Sequence, residues 1–489
     1  MNEINRKWYS GMAHTEDWWA VWLGLGMFGV GLLSIWGYDL VGWQLKTATW
    51  IEPGKWAVPS SKAYASLGWF GSFVTTYVVW TVLTSIGAYF MRLDVKKYII
   101  GWTVLYVLAW TCWIIGNYAY IAAPVNQFKK FGITWGLSLG GDTGFIIALL
   151  VGLVIGNFFK PFAAFIKEAC KPEWFIKTAI VYLGIKLGTM SVDSVTAKGF
   201  AIELALAGAA ATFVAYLLFW PLIYALGRKV FRLPREWAAV FCSGISICGV
   251  SASIATAGAI RAKPIIPALV STLVVVYAMI ELVVLPGFFT AVAPDQPIVN
   301  GAAMGMTVKT DGADAAAGAI LDEMMVANAA SRGIMWQKDW ILTAALMTKI
   351  WIDIFIGVWA FLLALLWVYK VERQPGQTTV PVSEVWFRFP KFVLGYLFCW
   401  FSVMAIASIW PEVIKDLKVG ASSVQSPMRS MFFAMTFVSL GVLSDFSKLK
   451  GLGRMALLYG VSLVFIIAPI AYLVAWIFHN GMMPPLVGS

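Results

Sequence analysis

At 489 residues, with 60% hydrophobic and only 12% charged residues and a mean hydropathy of +0.78, the chain has too little polar surface to cover a water-soluble globule. The net charge of +11 does not signal nucleic acid, because the basic residues sit in short clusters between apolar runs and not along one face. The composition specifies an all-α polytopic membrane protein whose first partner is the lipid bilayer and which has no nucleic-acid partner.

The amino-terminal stretch MNEINRKWYSGMAHTEDWW is polar and of mixed charge, and the apolar run after it is longer than a signal-peptide core, so it reads as an uncleaved helix. Runs long enough to span a bilayer then begin near Trp18, Trp69, Tyr98, Leu137, Trp174, Ala201, Trp237 and Pro264. A weaker run follows near Ala303, and strong ones begin near Trp340, Phe392, Met431 and Met455. That predicts about thirteen transmembrane helices. If each run spans once, the basic clusters around Arg6, Arg92, Lys160, Arg228, Lys370 and Lys448 all fall on one side, which predicts an N-in, C-out topology. Lys46, Lys55, Lys129 and Lys130 stand on the other side.

Residues 1–135 hold three spans and an unusual share of the Trp, from Trp8 to Trp135, and read as a membrane extension. Interfacial anchoring explains such a belt, and a docking or homodimerisation module is the alternative. Residues 136–480 form the core and 481–489 a short tail.

Charges inside the later spans are costly unless they face protein or a water-filled cavity. Lys186 in VYLGIKLG and Glu281 in YAMIELVVLP have no partner nearby in sequence, whereas Lys349 and Asp353, four apart, share a helix face. In MTVKTDGADAAAGAILDEMM, Asp311 and Asp322 fall about 20° apart on a helix, with Asp314 within about 80° of both. Lys309 offsets part of this charge. A face of carboxylates and small side chains suits a helix that lines an aqueous cavity and carries a coupling proton or sodium ion. Asp311, Asp314, Glu281 and Lys349 are therefore the ion-coupling candidates. Lys186 is a candidate anion ligand, with a salt bridge to an acid on another helix as the structural alternative.

The segment SGISICGVSASIATAG, residues 243–258, is almost all small residues. Tight helix packing explains it in part. Its Gly and Ser cluster also predicts a discontinuous helix near Gly249, whose freed amino-terminal end binds an anion without a full charge. Ser246, Cys248, Gly249, Ser251, Ser253 and Thr256, with Lys186, are the predicted substrate-binding residues.

The five Cys show no CxxC spacing and the two His lie at opposite ends of the chain, so no metal or cofactor is expected. No nucleophile–base pair or HExxH cluster points to an enzyme, and no Walker A motif to ATP-driven pumping.

ICGVSASIATAGAI at 247–260 resembles the ICGxSAxxA signature of a family of bacterial inner-membrane proteins described as sulfate exporters. IVYLGIKLG at 180–188, FPKFVLGYLF at 389–398 and VSLGVLSDFSKLKGLG at 438–453 resemble further segments of that family, in the same order. Two features depart from it: TDGAD stands where the family usually has a His-Glu pair, and the three-span extension is additional. The family is similar in outline to cation/proton antiporters and bile-acid transporters, which implies inverted repeats, discontinuous helices crossing at the midplane and elevator-like motion. The expectation is a secondary transporter of a small anion such as sulfate or an organosulfonate, coupled to H+ or Na+. A monovalent cation/proton antiporter is the alternative, and a membrane-embedded enzyme or sensor a remote one.

Overall fold

The computed structural model describes residues 11–487 apart from 124–126, 138–142, 193–194, 261, 264, 368–385, 387–388 and 445–451. Of the basic clusters, Arg6 and Lys7, Lys370, Arg373 and Arg388, and Lys448 and Lys450 lie outside the described residues.

Thr15 caps the first helix by accepting the Trp18 amide, and Glu16 and Asp17 fill its first turn, where the positive end of the helix favours them. This helix, α1 (Glu16–Leu32), is followed by an antiparallel hairpin of β1 (Leu45–Thr47) and β2 (Ala57–Pro59). Then come α2 (Gly68–Phe90) and α3 (Val95–Gly116). Next are α4 (Thr143–Phe158) and a short α5 (Lys160–Ile166), bent from it by 116°. They lead to α6 (Pro172–Ser191) and α7 (Val195–Lys229).

Two interrupted helices come next. The first is α8 (Arg235–Ser246) with α9 (Gly249–Ala259); after α10 (Ile265–Val292), the second is α11 (Pro297–Thr307) with α12 (Asp311–Ser331). The remainder is α13 (Trp340–Leu366), α14 (Phe392–Ile409), α15 (Ile414–Leu443), and a last span of α16 (Gly453–Ser462), a π-helical turn at Leu463–Ile467 and α17 (Ala468–His479).

Among the described residues, nine helices are long and apolar enough to cross a membrane, or up to ten if the bent α4–α5 pair is one span. The difference from thirteen has a physical source. Three halves of the interrupted helices, α8, α9 and α11, are too short. The fourth, α12, 21 residues long, is diluted by Asp311, Asp314, Asp322 and Glu323, and α6, 20 residues long, by Glu173, Lys177 and Lys186, and α6 is buried almost throughout. Surrounding helices shield α6, so it does not need a lipid-like surface.

The helices pack as two groups. In one, α15 runs against α4 and α6, α14 against α6, α3 against α4 and α15, and α1 against α6, α14 and α15. In the other, α11 packs on α13 and α17, α7 on α13 and α17, and α10 on α12. Contacts of α6 with α7 and α12, and of α12 with α15, join them. The apolar core is continuous across the expected boundary near residue 135, since Trp80, Trp102 and Trp110 of the extension belong to the same buried cluster as Trp174 and Phe432. Close approach is set by small residues: a Cβ on Gly152 of α4 would lie 2.3 Å from the Val438 carbonyl of α15.

Candidate functional site

The two helix interruptions meet. Between α8 and α9 the chain runs through Ile247 (φ −110°, ψ −104°) and the extended Cys248; between α11 and α12 it runs through the extended Val308 and Thr310. The Gly249 amide donates to the Lys309 carbonyl across the gap at 2.6 Å. A Cβ at Gly249 would lie 2.2 Å from Val274 Cγ1, so a larger residue there has no room. The small-residue run thus lets the chain break and lets the break pack against α10 and the second break.

Each interruption leaves carbonyls without helical partners at the end of its first half, where the helix dipole is negative. A lysine answers each. Lys349 Nζ, from α13, donates to the Ile247 carbonyl at 3.3 Å, and Lys309 Nζ donates to the Met306 carbonyl. Lys309 also lies 4.8 Å over the Phe219 ring of α7.

Lys349 joins a larger cluster. Its ammonium is 3.3 Å from Asp311 Oδ1 and 3.3 Å from Asp353 Oδ1, all three side chains being buried. Cys248 Sγ donates to Asp311 Oδ1 at 3.5 Å. Ligand atoms of Cys248, Asp311 and Asp353 lie within 4.8 Å of one another, near enough to share a metal ion, and the Lys349 ammonium faces both carboxylates. Asp314, one turn further along α12 and completely buried, has no hydrogen-bond partner for either carboxylate oxygen. Glu281 of α10 is buried and accepts from the Tyr459 hydroxyl at 3.1 Å, while its second oxygen is unpartnered.

The sequence candidates therefore divide. Cys248, Gly249, Asp311, Asp314 and Lys349 come together at the crossing. The Ser246 hydroxyl, at the end of α8, is buried without a partner. Ser253 is turned away from ligand duty, bonding the Gly249 and Val250 carbonyls and the Ser271 hydroxyl of α10. Thr256 is buried two turns along α9, and the side chain of Ser251 lies outside the described residues. Lys186 is not at the crossing: it pairs with Asp339 at 3.2 Å, and Arg429 pairs with the same carboxylate at 3.4 Å. Asp322 does not share a cavity with Asp311. It accepts the amides of Asp339 and Ile341 at 2.9 and 3.0 Å and so caps the start of α13.

Three contributors were not named as site residues from sequence. Asp353 was visible only as the i+4 partner of Lys349. Asp17 and Lys177 line, with Cys248, Asp311 and Asp353, a cavity of about 110 Å³ beside the crossing. Their meeting depends on contact between α1 and α6, which neither spacing nor composition encodes.

Comparison with known proteins places the chain. Residues 142–460 match the family model described as Conserved hypothetical protein 698. The chain is 60% identical, over the full length of both proteins, to a UPF0324 membrane protein of Nitrosomonas europaea. It is 31% identical to one from Rhodopirellula baltica over 81% of this chain and 65% of that protein, and 31% identical to one from Nitratidesulfovibrio vulgaris over 77% and 58%. No solved structure matches the chain. Multiple apolar helices, two interrupted helices crossing within the core and these matches agree: the chain belongs to the UPF0324 family of membrane proteins, the family of Conserved hypothetical protein 698.

Proposed function

We propose that the chain is a secondary active transporter of the bacterial inner membrane, working by alternating access, with its coupling-ion site at the crossing of the two interrupted helices. The observation that carries this reading is the pair of unpartnered carboxylate oxygens on the fully buried Asp314, within a cluster where carboxylates outnumber ammonium groups. Asp311, Asp314, Asp353 and Glu281 stand against Lys309 and Lys349. Such a group is strongly destabilised when charged in a low-dielectric interior, so it demands a proton or a cation. The lysines make binding reversible, because an arriving sodium ion or proton competes with an ammonium already in place.

The cargo we assign is a small anion, sulfate or an organosulfonate by resemblance. Support comes from the amino-terminal end of α9, which Cys248 does not cap with its side chain, and from the unpartnered Ser246 hydroxyl nearby in sequence. Monovalent cation/proton antiport is the second reading, favoured by the same carboxylate excess. At the crossing the Cys248 thiol donates to Asp311, whose carboxylate is already paired with Lys349, and we assign it no nucleophilic role.

Thermal unfolding of the purified protein separates these readings. A melting temperature that rises with sulfate, taurine or isethionate supports anion transport. A rise with sodium or lithium and with no anion removes the anion and leaves antiport. No shift with any solute at any pH removes both.

A further inference from the structure

The family match begins at residue 142, yet a carboxylate from outside it reaches the crossing. Asp17, in the first turn of α1, lines the cavity of about 110 Å³ together with Lys177, Cys248, Asp311 and Asp353. A polar cavity of this size has room for water. Asp353 faces it with one carboxylate oxygen that has no partner, although the side chain is only 2% exposed. The cavity thus leads to an unsatisfied ligand.

Lys177 stands over it. Its Nζ lies 2.8 Å from Asp17 Oδ1 and 3.3 Å from Glu173 Oε2, and 6.0 Å from the centre of the Phe392 ring. Asp17 is itself fixed, because its other oxygen accepts the Lys391 amide at 3.1 Å. Glu173, four residues before Lys177 on α6, holds the same ammonium at the same time through Oε2. A tethered ammonium at the mouth of a small polar cavity repels cations and fills their place. On release from Asp17 the ammonium keeps its Glu173 partner, so it can swing aside and open the way without being left unpaired.

We propose that this cavity is the vestibule through which the coupling ion reaches Asp353 and Asp311, and that the Asp17–Lys177 pair is its gate, so that the amino-terminal extension controls access to the core's ion site. The idea rests on the ion-site reading of the crossing, but Cys248 reports on it separately, since a thiol in the cavity reacts only when a reagent can reach it.

The experiment uses full-length protein in which Cys112, Cys170, Cys242 and Cys399 are replaced by Ala, leaving Cys248 as the one thiol. The rate of modification by a small cationic methanethiosulfonate is measured in membrane vesicles of both orientations. Asp17→Asn is expected to raise the rate at least tenfold from the face on which Lys391 lies, and Lys177→Met to do the same. The exchanged pair Asp17→Lys with Lys177→Asp is expected to return it toward the parent rate, and Asp295→Asn, which breaks a surface pair with Arg332, to leave it unchanged. Equal rates in parent, Asp17→Asn and Lys177→Met overturn the gate, as does acceleration from the opposite face or no labelling of any variant. If Asp17→Asn does not insert, Lys177→Met decides alone. Acceleration as expected, with no ion affecting thermal stability, keeps the gate and removes the ion-site reading.

Discussion

Lys349 uses one ammonium group for three duties: it caps the Ile247 carbonyl and pairs with Asp311 and Asp353. Lys349→Met leaves two buried carboxylates and a helix end facing each other without their shared cation. Breaking a buried pair in this way costs about 3–5 kcal/mol, so we expect a clear fall in melting temperature, measured in detergent. Asp314→Asn behaves differently. It keeps the volume and removes no hydrogen bond, so melting should change by no more than about 1 kcal/mol while ion-coupled uptake into proteoliposomes is lost. A variant that keeps coupled uptake removes Asp314 from the ion site. The pairing of Lys349 with Asp353 was legible from their spacing, because four residues make one helical turn. Cys248 meeting Asp311 was not, because 63 residues separate them and only the crossing joins them.

At the level of elements, the first interruption could be read from SGISICGVSASIATAG, since small residues permit both a break and close contact. The second could not. The segment around Asp311 reads as one helix from Met306 onward, whereas the chain is extended at Val308 and Thr310, and Thr310 caps a new helix by accepting the Ala313 amide at 3.3 Å. The helical wheel correctly puts Asp311 and Asp322 near one face, but eleven residues at about 1.5 Å each carry them some 16 Å apart, into different tasks. Gly249→Leu should abolish ligand-induced thermal stabilisation while the protein still inserts; unaltered stabilisation would mean that residues 243–258 serve packing alone. Gly305→Ala tests the second interrupted helix. Its Cβ would come within 2.0 Å of the Ala345 carbonyl of α13, so α11 must shift, and overpacking costs about 1–3 kcal/mol.

For the whole molecule, two packed groups of helices suggest what moves. Lys186 on α6 and Arg429 on α15 belong to one group, and Asp339 at the start of α13 belongs to the other. Asp339 is a non-glycine residue at φ 73°, a conformation that Asp tolerates better than most. A sliding motion between the groups must break this three-membered contact. Asp339→Asn is therefore expected to change the exchange rate between conformations, read as altered hydrogen–deuterium exchange in α12 and α13; an unchanged pattern would show that the contact does not hold the groups in place. The sequence announced a membrane protein through composition alone. It did not reveal that Lys186 is a link between groups, because its two partners lie far away along the chain.

The bend after α4 has one more consequence. At 116° to the helix before it, α5 runs across that helix's axis, and Phe158, Phe159, Phe162 and Phe165 project from the bend into the surroundings. Phe rings on a helix that lies across the spans insert beneath the headgroups, as the apolar face of an interfacial helix does. They would act as a keel, fixing the depth at which the helices packed on α4 ride in the bilayer. Any stroke of the remaining helices would then be felt as displacement along the membrane normal, and the thickness of the lipid would set its length.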